Sequence, residues 1–158
     1  MSKVWRAATL HDVQTVLGDL SAVSRDEMKV CGLSKAEVLW MARSHWLHCG
    51  RAFVFLQDAT PVAVFGLSPQ RGDPEVLNTW LISSPRFHTA AWTLFSRKFL
   101  AHLQAQHPNQ RLLTTTYSKR STVNRWFQLL GFEMLDKAEN HKVFEYVARN
   151  VDKTIQAA

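Results

Sequence analysis

The stretch Ser83-Ser84-Pro85-Arg86-Phe87-His88-Thr89-Ala90-Ala91-Trp92 joins an apolar run, Val76 to Ile82, to a segment of helical periodicity. Small residues and two basic side chains at a strand-to-helix junction are the ingredients of an anion site. The first turn of a helix has N–H groups with no intrahelical partner, and its dipole favours negative charge. Phosphate-cradling turns ordinarily add glycine, which lets the backbone approach the anion closely. None occurs between Gly72 and Gly131. The same residues also read as a plain helix start, with Ser84 or Thr89 as the cap.

Other reactive side chains form weaker patterns. His45 and His48 lie three apart in Trp40-Met41-Ala42-Arg43-Ser44-His45-Trp46-Leu47-His48-Cys49, so they share a helix face. No second ligand pair accompanies them, and no metal site is expected. Cys31 and Cys49 are too few for a disulfide framework and neither belongs to a CxxC pair, which points to a reducing compartment. Serine, histidine and aspartate are all present, but no G-x-S-x-G elbow is, so hydrolase chemistry is unsupported.

The 158 residues suffice for one domain with its own core, expected over residues 1–149, followed by a disordered tail at 150–158. A formal charge of +6 favours anionic partners: nucleotides, CoA-type phosphates, nucleic acid or acidic proteins. The positive residues are spread out, clustering only at Arg97-Lys98 and Lys119-Arg120, which reads as a solvated basic surface; any nucleic-acid binding is expected to be unspecific. The N-terminal residues lack the apolar core of a signal peptide, and no apolar run reaches membrane-spanning length. A soluble, cytosolic protein is expected.

The elements that must position these residues follow from periodicity and punctuation. Val4 to Ala7 reads as a strand, and Thr9 with Asp12 as a capping-box variant opening a helix with Leu10, Val13, Leu17 and Leu20 on one face. Ser24 to Gly32 reads as a polar connector. Ser34 and Glu37 cap a second helix placed at 35–48, with Leu33 and Val38 as its staple. Residues 51–57 and 62–67 form a hairpin around Asp58-Ala59-Thr60-Pro61, and Pro69, Gly72 and Pro74 punctuate a loop before a strand at 76–82. Trp92, Phe95, Phe99, Leu100 and Leu103 then fall at helical spacing. A strand at 112–117, a short helix from Ser121 to a left-handed Gly131, and a hairpin of 132–135 with 143–147 complete the chain. The expected order is βααβββαβαββ, an α/β (α+β) fold whose mixed, mostly antiparallel sheet is flanked by helices.

That order resembles the GNAT acyltransferase fold. Val54-Phe55-Leu56-Gln57-Asp58-Ala59-Thr60-Pro61-Val62-Ala63-Val64-Phe65-Gly66-Leu67 is similar to its hairpin, Trp80-Leu81-Ile82-Ser83-Ser84-Pro85 to its fourth strand, and Arg125-Trp126-Phe127-Gln128-Leu129-Leu130-Gly131-Phe132 to its last helix. The resemblance implies acetyl-CoA as cofactor, its pyrophosphate on a helix N-terminus. The family's pyrophosphate pattern, Q/R-x-x-G-x-G/A, falls on Arg86-x-x-Thr89-x-Ala91 or, aligned on Pro85, on His88-x-x-Ala91-x-Thr93. The implied cofactor-binding residues are Ile82, Ser83, Arg86, His88, Thr89, Ala90, Ala91, Arg120 and Phe127.

The tyrosine that protonates the CoA thiolate in many of these enzymes falls on Phe127, which cannot donate a proton. Tyr117 is the substitute acid, and Glu75 the base, with Asn78, His45 and His48 as further polar candidates. Trp40, His45 and Trp46 are placed to line an acceptor pocket, although both tryptophans also read as core.

Arg25 to His45, Thr60 to Pro69, Asn78 to His88 and Arg125 to Phe132 together also resemble the GNAT-like small internal virion proteins of short-tailed phages. This resemblance implies a role in virion assembly or genome delivery with little or no catalysis. Phage structural or host proteins would be its partners, and its place the host cytoplasm or the virion.

Overall fold

Thr9 starts the first helix as the sequence predicts: its hydroxyl accepts the Asp12 N–H while the Asp12 carboxylate accepts the Thr9 N–H, a reciprocal capping box. Asp12 is 2% exposed and also takes two bonds, of 2.7 and 3.0 Å, from the Arg6 guanidinium. One buried carboxylate thus joins the first strand to the first helix. Burial pushes the Asp12 carboxyl up, but the bonds from Arg6 and Thr9 outweigh it and hold the group below the usual carboxylate range.

The computed structural model describes residues 2–48 and 51–147; Cys49 and the expected tail at 150–158 lie outside them. The elements are β1 (Lys3–Ala7), α1 (Leu10–Leu17), α2 (Ala22–Val30), α3 (Lys35–Met41), β2 (Ala52–Gln57), β3 (Thr60–Gln70), β4 (Asp73–Ser83), α4 (Ala90–Gln106), β5 (Arg111–Thr116), α5 (Ser121–Leu130), β6 (Phe132–Lys137) and β7 (Lys142–Tyr146). The strands form one seven-stranded sheet in the order β1-β2-β3-β4-β5-β7-β6, mixed α/β with mostly antiparallel pairing and flanking helices. Among the described residues no helix is long and apolar enough to cross a membrane.

Three local expectations change. The polar connector is a helix, α2, capped by Ser21, so the order is βαααβββαβαββ. Its buried stripe is only Ser24 and Met28, one turn apart, which leaves almost no apolar period in the sequence. The helix placed at 35–48 ends at Met41 and passes into a π-helical turn, Ala42–Trp46, closed by a 3.0 Å bond from the Leu47 N–H to the Ala42 carbonyl. The loop at Pro69 to Pro74 is a tight hairpin turning on Gly72 at φ 82°. Its prolines occupy exposed strand positions, where a missing N–H costs no buried bond.

By density of contacts the chain falls into two units: Met1–Ser68 with Thr79–His88, and Pro69–Asn78 with the chain from Thr89 onward. In the first, Val13, Val16, Leu17, Met28, Val38 and Ala42 of the helical segments pack on Val54, Leu56, Val64 and Ile82 of the strands. Trp80 of β4 stacks on Trp46 at a ring separation of 3.6 Å. In the second, Phe127 of α5 stacks on Phe144 of β7 at 5.0 Å and meets Phe132 edge-on, while Leu100, Leu103, Leu112 and Leu130 are buried. Gly131 ends α5 at φ 104°, the left-handed position expected of it.

Candidate functional site

In the first unit, β4 ends at Ser83 and the chain turns through a short 3₁₀ segment, Pro85–Phe87. Ser83 is 1% exposed, and its Oγ lies 2.9 Å from His88 Nε2, 3.0 Å from Ser21 Oγ and 3.2 Å from Ser24 Oγ. The Ser21 N–H also donates to the Ser83 carbonyl at 2.8 Å. His88 is exposed as a residue, but the nitrogen that engages Ser83 points into this dry cluster. That desolvation holds its pKa below the ordinary imidazole value. Ile82 is packed in the helix-facing core and offers a ligand only its backbone. Arg86 is exposed.

In the second unit, Thr89 is the N-cap of the 17-residue helix α4. Its Oγ1 accepts the Trp92 N–H at 3.3 Å, and its carbonyl accepts the Thr93 N–H at 3.0 Å. Among the described interactions the N–H groups of Ala90 and Ala91 have no acceptor, and both residues are exposed. Such a helix end can receive an anion. Among the described residues only Asp58 and Ala59 combine a side chain with positive φ. The turn from Ser83 to Ala91 therefore holds no backbone conformation that calls for glycine.

The remaining candidates stand in several places. Tyr117 follows β5, half-buried, its ring 5.9 Å from that of His141. Arg120 is the exposed N-cap residue of α5, with its N–H on Ser118 Oγ at 3.2 Å. Phe127 is half-buried on α5 and packs against Phe132 and Phe144, and its ring has no proton to give at the position the resemblance assigns to a tyrosine. Glu75 is exposed at the start of β4, the opposite end from Ser83, and its N–H donates to Asp73 Oδ1. Asn78 is half-buried on the same strand, and His45 and His48 are exposed. Trp40, read from the sequence as core or pocket lining, is 62% exposed and meets His45 edge-on at 5.7 Å, while Trp46 is covered by Trp80.

Solved structures resemble this arrangement over nearly the whole chain. A GNAT-family acetyltransferase from Bacillus anthracis is similar at 10% identity and a TM-score of 0.69, covering 94% of this chain and 96% of its own. The aminoglycoside acetyltransferase AAC(6')-Ib, solved with coenzyme A and kanamycin, is similar at 14% identity and a TM-score of 0.69, over 98% of this chain and 99% of its own. The fold is that of the GNAT acetyltransferases. A phosphinothricin acetyltransferase of that superfamily from Sinorhizobium meliloti, solved with acetyl-CoA, matches at 14% identity and a TM-score of 0.65, over 92% of this chain and 88% of its own. No protein-family model and no curated protein matches the chain.

The sequence assigns no role to Ser21 or to Ser24, which stands in a stretch that reads as a connector, and it does not show the pairing of Trp80 with Gly66. A sequence signal existed for the first pair: serines three apart before a Glu-containing stretch are compatible with a helix start. For the second there was none, since the contact joins two strands.

Proposed function

We propose that this GNAT-fold chain binds acetyl-CoA and transfers the acetyl group to an amine. The observation that carries the reading is the start of α4, where Ala90 and Ala91 are exposed and their N–H groups have no acceptor among the described interactions. The pyrophosphate would accept from these amides, with the hydroxyl cap of Thr89 and the charge of Arg86 beside it in sequence. Acetyl-CoA supplies an activated acyl carbon; the chain's part is to orient it, to leave the incoming amine unprotonated and to return a proton to the departing sulfur. Tyr117 is the side chain we assign to that last role.

Calorimetric titration with acetyl-CoA tests the reading. Binding at sub-millimolar concentration supports it; no heat and no protection from unfolding at millimolar ligand rejects it. Transfer to a panel of peptide N-termini, lysine side chains and small amines then identifies the acceptor class.

A second reading keeps the scaffold and drops the chemistry: a phage internal virion protein acting in assembly or genome delivery, with phage structural or host proteins as partners. The sequence resemblance supports it, as does Phe127, a half-buried ring packed on Phe144 where a proton donor is wanted. Acetyl-CoA binding without transfer to any amine favours this reading, and mass spectrometry of purified particles and assembly intermediates decides it. Nucleic-acid binding ranks third and rests on net charge alone; affinity for random DNA that does not fall with salt contradicts it.

A further inference from the structure

Ser21, Ser24 and Ser83 are 3%, 5% and 1% exposed, so their hydroxyl protons have to find acceptors inside the protein. Two bonds in the cluster have a fixed direction because their donors are backbone N–H groups: Ser83 N–H to Ser24 Oγ at 3.0 Å, and Ser24 N–H to Ser21 Oγ at 3.2 Å. The other three contacts all converge on Ser83 Oγ, from Ser21 Oγ, Ser24 Oγ and His88 Nε2.

A hydroxyl has one proton to give and two lone pairs to accept with. Among the described interactions, the hydroxyl protons of Ser21 and Ser24 have one acceptor, Ser83 Oγ, and together they fill both its lone pairs. The proton of Ser83 then has one destination, His88 Nε2. Were Nε2 protonated, Ser83 would have to turn its own proton onto Ser21 or Ser24, leaving that residue's proton buried without an acceptor. Only a neutral imidazole carrying its proton on Nδ1 matches every donor to an acceptor.

Serine and histidine at this distance also have the geometry of a nucleophile and its base. Burial of Ser83 at 1% exposure, with both lone pairs occupied, removes it from that role.

We propose that Ser83, held by Ser21 and Ser24, is a positioning residue that fixes His88 as the neutral Nδ1–H tautomer and so ties the turn before α4 to the N-terminus of α2. The functional half of this inference rests on the acetyl-CoA reading: His88 immediately precedes the cap residue Thr89 in the chain, so the backbone enters the cap from a fixed residue. It also divides the two basic residues of the turn. His88 spends Nε2 on the latch, and Arg86 is the basic residue of the turn that the latch does not engage.

The test has two arms on the full chain. In long-range proton–nitrogen NMR of the ligand-free protein, His88 Nδ1 is expected at a protonated shift and Nε2 at a bare one, and Ser83→Ala is expected to lose that pattern. A proton on Nε2 in the wild type overturns the latch. Because Ser83→Ala leaves buried groups unmatched and can fail to fold, Ser21→Ala serves as the milder variant: Ser24 still donates to Ser83 and the Ser83 proton still has only Nε2 to go to, so the Nδ1–H pattern is expected to persist, and a proton on Nε2 in it counts against the latch.

In the second arm, His88→Gln retains a carbonyl to accept the Ser83 proton and is expected to bind acetyl-CoA within about twofold of wild type, while His88→Ala loses about tenfold. Wild-type affinity in His88→Ala overturns the functional half. If the wild type itself does not bind acetyl-CoA, the proposed function fails, and the tautomer still decides the latch.

Discussion

The indole of Trp80 occupies the space that a side chain at Gly66 would need. A Cβ built on Gly66 would lie 1.8 Å from Trp80 Cζ2 and 1.9 Å from Cε2, far inside contact distance. Gly66 is the residue of β3 that lets the ring of β4 lie flat on the strand, and Trp46 from the π-helical turn covers its other face. Gly66→Ala is therefore expected to cost roughly 2–3 kcal/mol in urea unfolding, since the ring is packed against Trp46 and has to leave its place. The double variant with Trp80→Leu should recover part of that loss. Additive losses would show that the two residues are not coupled.

Asp12 predicts an acid transition. Its folded carboxyl is held below the usual range while the unfolded one is ordinary, so as pH falls the unfolded chain takes up the proton first. The stabilisation is complete above about pH 4 and is lost as pH drops through the lower folded value. Asp12→Ala should cost roughly 2–3 kcal/mol at neutral pH and flatten the acid limb of a stability profile. A profile unchanged in shape would count against the assignment.

His88 contributes with the same sign in a higher window. Its folded pKa is lowered by desolvation, so between the folded and ordinary values the unfolded chain binds the extra proton. Stability from this group is present above about pH 6.5 and declines as pH falls below it. His88→Gln, which cannot titrate there, should lack that decline, as thermal unfolding across the range would record.

For ligand binding, Arg86→Gln is expected to weaken acetyl-CoA by roughly three- to tenfold and to reduce the salt dependence of the affinity, because an exposed guanidinium acts on a phosphate through a screened field. Equal loss at low and high salt would point to a conformational effect instead.

For chemistry, Tyr117→Phe is expected to lower kcat by about a hundredfold with KM little changed, the signature of a lost proton donor. An unchanged kcat would remove Tyr117 from the acid role.

The caps, and the chain order apart from α2, were legible one residue at a time. Thr9 with Asp12, Ser34 ahead of Glu37 and the left-handed Gly131 are local contracts between a side chain and the backbone within a few residues, and each stands where its residue types place it. The strand-to-helix junction at Ser83 to Ala91 was legible for the same reason, as was the sheet-and-helix order that makes it a GNAT junction. Helix α2 was hidden because it buries only two residues, and the hairpin at Gly72 because prolines in exposed strand positions look like loop residues in sequence.

What tertiary structure alone decided is the use of side chains whose partners are distant in sequence. The Nε2 of His88 meets Ser83 and, through it, Ser21 and Ser24, about sixty residues earlier in the chain. Phe127 of α5 stacks on Phe144 of β7, a neighbour its sequence surroundings do not name. Propensity and periodicity report on neighbours along the chain; a proton's place in a buried cluster is settled by acceptors that only folding brings within 3 Å.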